Sequence, residues 1–101
     1  MAWDPAQYLK FSNHRLRPAL DLLAQIPLAA PEHVVDLGCG AGNVTRFLAE
    51  RWPSAKICGV DNSAQMLDKA RGILPQAAWT ESSIDAWQPE QPVDLIYSNA
   101  A

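Results

Sequence analysis

Apolar positions recur first at helical spacing, then in short β-branched runs separated by further helical stretches. In residues 1–30, Leu16, Leu20, Leu23, Ala24 and Ile26 form a helical stripe that Pro27 and Pro31 close. Asp4-Pro5 reads as an N-cap followed by a first-turn proline, the start of an earlier helix. Arg17-Pro18 restarts the helix, because proline fits a first turn and keeps its predecessor out of the α region. His33-Val34-Val35-Asp36-Leu37 is a β-branched strand ended by Gly38. The helical period returns after Gly42 with Val44, Phe47, Leu48 and Trp52, and Pro53 stops it. Lys56 to Asp61 is a second strand. Ser63 caps a helix whose apolar positions are Met66, Leu67, Ala70 and Ile73, and Pro75 stops it. Ala77 to Glu81 and Val93 to Ser98 are a third and a fourth strand, joined by a polar connection from Asp85 to Pro92. This alternation predicts βαβ units and an α/β fold on a parallel sheet.

Composition narrows the function classes. The 101 residues are 49% hydrophobic and 19% charged, which suits one globular domain with a modest core. The net charge of −3 gives no basic stripe of the kind nucleic-acid binders carry. No apolar run approaches the ~20 residues of a membrane helix. Met1-Ala2-Trp3-Asp4-Pro5 lacks the basic and then apolar pattern of an export signal. Cys39 and Cys58 suggest no disulfide framework, so a reducing, cytoplasmic setting is expected. His14 and His33 have no ligand partners at metal-binding spacing, so no metal is expected.

The candidate chemistry sits in Val34-Val35-Asp36-Leu37-Gly38-Cys39-Gly40-Ala41-Gly42-Asn43, a strand, a glycine-rich loop and the start of a helix. Glycines let the chain turn sharply and let a ligand approach the backbone. The following helix start offers N–H groups suited to an anion. The competing reading is a glycine turn that only packs tightly. No Gly-Lys-Ser/Thr triplet occurs, which excludes the triphosphate-cradling loop. The dinucleotide fingerprint needs glycine or alanine where Asn43 stands, and Asp36 would repel a pyrophosphate, so a nicotinamide-dependent oxidoreductase is disfavoured. Asp61, at the end of the second strand, is placed to accept hydrogen bonds from ribose hydroxyls. A ligand with a ribose, a nearby cationic group and no pyrophosphate satisfies both carboxylates, and S-adenosylmethionine is such a ligand.

The same loop resembles the first motif of class I S-adenosylmethionine-dependent methyltransferases. Gly59-Val60-Asp61-Asn62-Ser63-Ala64-Gln65-Met66-Leu67 resembles their second motif, and Asp94 to Ala101 their fourth-strand motif. Trp3-Asp4-Pro5, Tyr8, Phe11, Arg15, Arg17-Pro18 and the Trp87–Pro92 stretch are similar to bacterial members that act on trans-aconitate. The resemblance implies a Rossmann-like three-layer α/β/α fold with strand order 3-2-1-4 for the part present. It implies an N-terminal helical arm over residues 1–30 and the cofactor-binding part of the domain over residues 31–101. Gly38, Cys39 and Gly40 would run along the methionine part of the cofactor, with Asp36 near its amino group. Asp61 would take the ribose, and Asn62 and Met66 would border the adenine, although periodicity reads Met66 and Leu67 as core. Ser83 and Ile84 would meet the adenine edge, but the family usually carries an aspartate where Ser83 stands. Asn99 would lie beside the methyl donor, and the arm, with Tyr8, Phe11 and Arg15, would fold over the pocket. Trp79 and Trp87 read as packing residues.

The implied reaction is O-methylation of a carboxylate on trans-aconitate or a similar small polycarboxylate. Such an acceptor is already ionised near neutral pH, so no catalytic acid or base is named. The family's fold continues past the fourth strand, so the C-terminal, acceptor-binding half is expected to lie outside these 101 residues. The alternative is a non-catalytic or inert fragment that retains only a cofactor-binding module. The complete enzyme is expected to be a monomer, with no nucleic-acid or membrane partner. In this chain the fourth strand would be an exposed edge open to self-association.

Overall fold

The computed structural model describes residues 17–98. The elements follow in the order α1 (Arg17–Ala24), β1 (His33–Leu37), α2 (Thr45–Arg51), β2 (Lys56–Asp61), α3 (Ala64–Ile73), β3 (Ala78–Glu81) and β4 (Leu95–Tyr97). The strands form one sheet in the order β3-β2-β1-β4, parallel throughout. This is the order and direction the motifs imply. The first helix inferred at Asp4-Pro5 lies outside the described residues.

Register assigns the faces. Val34 pairs with Ile57 and Leu95, and Asp36 with Gly59 and Tyr97. Paired residues project to the same side of a sheet. Leu20 and Leu23 of α1, Phe47 and Leu48 of α2, and Trp52 gather there with Val34, Ile57 and Tyr97 in one core. Trp79 pairs with Gly59 on this face, and its ring fills the space a side chain at position 59 would need, 2.3 Å from the nearest ring atom. Its indole N–H donates to the Leu74 carbonyl at the end of α3. The described helices therefore lie on one face of the sheet. On the other face, Val35, Cys58, Ala78 and Thr80 meet the Trp87–Gln91 stretch across a groove of about 190 Å³.

Helix α1 and the residues after it are tied into this core. The Tyr97 hydroxyl donates to the Ala19 carbonyl at 2.8 Å. Arg51 donates to the carbonyls of Leu23 and Ile26, and its guanidinium stacks on Trp52 at 4.4 Å. The Trp52 indole N–H donates to the Leu28 carbonyl.

Three element boundaries differ from expectation. β4 covers Leu95–Tyr97, shorter than Val93 to Ser98. At its start the Asp94 carboxylate accepts the N–H groups of Glu32 at 2.7 Å and His33 at 3.0 Å, while the Asp94 N–H donates to the His33 carbonyl at 2.9 Å. At its end the Ser98 hydroxyl donates to the Leu37 carbonyl. β3 starts at Ala78, because Ala77 still closes the turn after α3 with a bond to the Leu74 carbonyl. The buried face of α3 is Leu67, Ala70 and Leu74, whereas Met66 and Ile73 form a neighbouring exposed stripe.

Candidate functional site

The loop between β1 and α2 is built by glycines with positive φ at Gly38, Gly40 and Gly42. At Gly40, φ is +57° and nothing stands within 4 Å of where a Cβ would project, so the backbone is open to a ligand. The loop spends several of its N–H groups on the end of β2. Gly38 and Cys39 both donate to the Val60 carbonyl, and Gly42 donates to that of Cys39. Gly40 donates to Asp61 Oδ2 at 2.8 Å, and Ser63 donates to Asp61 Oδ1 at 2.9 Å. The bonds of Gly38, Cys39 and Gly40 fasten the loop to the end of β2. α2 begins at Val44 without a side-chain cap.

This fastening opens a cleft of about 730 Å³ at the carboxyl ends of β1 and β2. Gly38, Gly40, Asp61, Asn62, Ser63 and Met66 line one part, and Ser83, Ile84 and Asp85 the other. Met66 is 40% exposed and Ile84 42% exposed, so both offer apolar surface to the cleft. Periodicity alone had made Met66 a core residue; one position of helical phase separates it from the buried Leu67. The turn carrying Ser83 to Asp85 is held from both sides. Ser82 donates its N–H to the Asp61 carbonyl, and the Ser83 hydroxyl accepts the Ala86 N–H.

Asp36 and Cys39 do not line this cleft. Asp36 is 3% exposed beneath the loop, where its Oδ2 accepts the Thr45 hydroxyl at 2.7 Å. Burial pushes its carboxyl up to about 6, against the lowering effect of the Thr45 bond and with a further rise from the charge of Asp61. The Cys39 thiol points into the packing around Gly59. Burial, with the negative charges of Asp36 and Asp61, raises it to about 12, which keeps it protonated and unreactive. Asn99, Tyr8, Phe11 and Arg15 lie outside the described residues. Two lining residues escaped the sequence reading. Ser63 was read only as a cap, which it also is, accepting the Met66 N–H at 3.3 Å. Asp85 was assigned to the polar connection, and its signal is a carboxylate directly after the exposed Ile84.

Among the described residues no cluster of three or more His, Cys, Asp or Glu could hold a metal ion. No described helix is long and apolar enough to cross a membrane.

Such a cleft, outside the carboxyl ends of parallel strands, is the ligand position of an open α/β sheet. The chain belongs to the methyltransferase domain family, whose model matches residues 34–101. It is 56% identical over 98 residues to a trans-aconitate 2-methyltransferase of Azoarcus sp. strain BH72, covering 97% of this chain and 39% of that protein. The chain thus spans 39% of the length of the curated relatives it matches. An S-adenosylmethionine-dependent methyltransferase from Mesorhizobium loti superposes over 85% of this chain and 40% of its own, with TM-score 0.69 and 31% identity. CalS10, an amino pentose methyltransferase from Micromonospora echinaspora, shares the fold over 98% of this chain and 43% of its own, with TM-score 0.73 and 21% identity.

Proposed function

We propose that this chain carries the S-adenosylmethionine-binding part of a methyltransferase that esterifies a carboxylate of trans-aconitate or a similar small polycarboxylate. The observation that carries the cofactor assignment is the cleft itself. Its lining among the described residues combines open glycine backbone, Asp61, and the apolar Met66 and Ile84. That set suits an adenosine joined to an amino acid. Asp61 would accept from the ribose hydroxyls with the lone pairs that Gly40 and Ser63 leave free. Gly38 and Gly40 would leave room along the methionine portion, and Asn62, Met66, Ser83 and Ile84 would border the adenine. Asp36 would act from beneath the loop as a buried negative charge toward the amino group, and Cys39 by shaping the backbone. Asn99 would position the reacting ends.

When bound, the cofactor supplies an electrophilic methyl group on a sulfonium. The chain's part is to orient it and to exclude water. No residue has to move a proton, because the acceptor carboxylate is already ionised. The acceptor assignment rests on the names of the relatives, which this chain matches over residues that include the arm. Residues 1–30 would form the arm and residues 31–101 the cofactor-binding part, in a protein that acts as a monomer. The free thiols of Cys39 and Cys58 support a reducing, cytoplasmic location.

Incubation of the purified protein with methyl-labelled S-adenosylmethionine and trans-aconitate tests the reaction. A labelled, base-labile ester is expected. Folded protein that binds S-adenosylhomocysteine but forms no ester would limit this chain to a cofactor-binding module, and folded protein that binds neither would reject the cofactor assignment.

A further inference from the structure

Side-chain donors from the core give helix α1 a direction. Its first turn meets the carboxyl end of the sheet, because the hydroxyl of Tyr97, the last residue of β4, donates to the Ala19 carbonyl at 2.8 Å. The other end of α1 and the residues after it meet the amino end of the sheet. There Arg51, the last residue of α2, donates to the carbonyls of Leu23 and Ile26, and the Trp52 indole donates to that of Leu28. α2 starts after the glycine loop and ends before β2, so Arg51 and Trp52 stand at the end remote from the cleft. The helix therefore runs antiparallel to the strands, and the chain enters it from the cleft end. Tyr97 pairs with Asp36, two residues before Gly38, so its bond to α1 lies level with the rung beneath the glycine loop. Tyr97 is 2% exposed and Ala19 fully buried, so water does not compete for this bond. Residues 1–16 precede α1 and include Trp3, Tyr8 and Phe11. Even as a helix they reach ~24 Å, more than twice the ~9 Å edge of a cube with the cleft's volume.

We infer that Tyr97 is a positioning residue for cofactor binding: its bond to Ala19 seats the start of α1 so that residues 1–16 are held over the cleft. Tyr97 does not line the cleft and acts through the arm. The inference rests on the assignment of S-adenosylmethionine to this cleft.

Two variants of the full chain test it. Tyr97→Phe removes the hydroxyl and keeps the ring in the core. Trp52→Phe removes a bond beyond the other end of α1 and is the control for lost stability. Both are expected to melt below the wild type. In titration calorimetry with S-adenosylhomocysteine, Tyr97→Phe should bind about fivefold more weakly, the size of one neutral hydrogen bond, and Trp52→Phe should bind as the wild type does. Trypsin gives a second reading. Saturating S-adenosylhomocysteine should slow cleavage after Lys10 and Arg15 in the wild type and in Trp52→Phe, and should give less protection in Tyr97→Phe. Undiminished affinity in Tyr97→Phe, an equal loss in Trp52→Phe, or no protection of Lys10 and Arg15 in the wild type would overturn the inference while the cofactor assignment stands. Folded wild-type protein that takes up no S-adenosylhomocysteine would overturn that assignment and the inference with it.

Discussion

The carboxyl of Asp36 shows how far one residue's role depends on its neighbours. In the sequence it is an acid two positions before a glycine loop, and its placement beside a cationic ligand follows from charge alone. The structure adds that it is buried and held by the Thr45 hydroxyl, a partner nine positions away that periodicity does not single out. Because burial raises its pKa to about 6, the folded state holds this proton more tightly than the unfolded chain does. The associated stability is present at acid pH, falls as pH rises from about 4 toward 6, and is lost above that. The shift corresponds to about 3 kcal/mol. Thermal melts of the wild type and Asp36→Asn across this range measure it. The variant should lack the decline between pH 4 and 6, and equal slopes would show that Asp36 is not the titrating group. Asp61, Gly38 and Gly40, which line the cleft, were legible as candidates because strand-end acids and loop glycines have local signatures. Asp85 was not, because only the turn at Ser83 brings it to the cleft.

At the scale of elements, local punctuation carried most of the fold. Gly38, Pro53, Ser63 and Pro75 end or begin β1, α2 and α3 close to where the sequence places those limits. The limits of β4 were not legible, because they are set by contacts across the chain. Asp94 reaches the backbone of Glu32 and His33, and Ser98 reaches Leu37. Asp94 therefore pins the register of β4 against β1 at the start of the strand. Asp94→Ala leaves two N–H groups without their carboxylate and should cost about 2 kcal/mol. Urea denaturation should show a lower midpoint with an unchanged slope, and amide exchange should accelerate at Glu32 and His33. A midpoint equal to that of the wild type would mean that strand pairing alone fixes the register.

For the whole molecule, the parallel sheet was legible from the alternation of strands and helices, and its order from the resemblance of the motifs. The position of the cleft followed from that order. What the sequence did not disclose is that the described helices occupy one face, while Trp87–Gln91 crosses the other. Nor did it disclose that the loop's N–H groups are consumed by Val60 and Asp61. The central claim is that Asp61 and the loop it fastens bind S-adenosylmethionine. Titration of S-adenosylhomocysteine into the wild type and Asp61→Asn tests it most directly, with circular dichroism as the check on folding. The account predicts one saturable site, at least about tenfold weaker in the variant, as expected for weakened charge-assisted bonds. Folded wild-type protein that takes up no ligand, or a variant that binds with undiminished affinity, would contradict it.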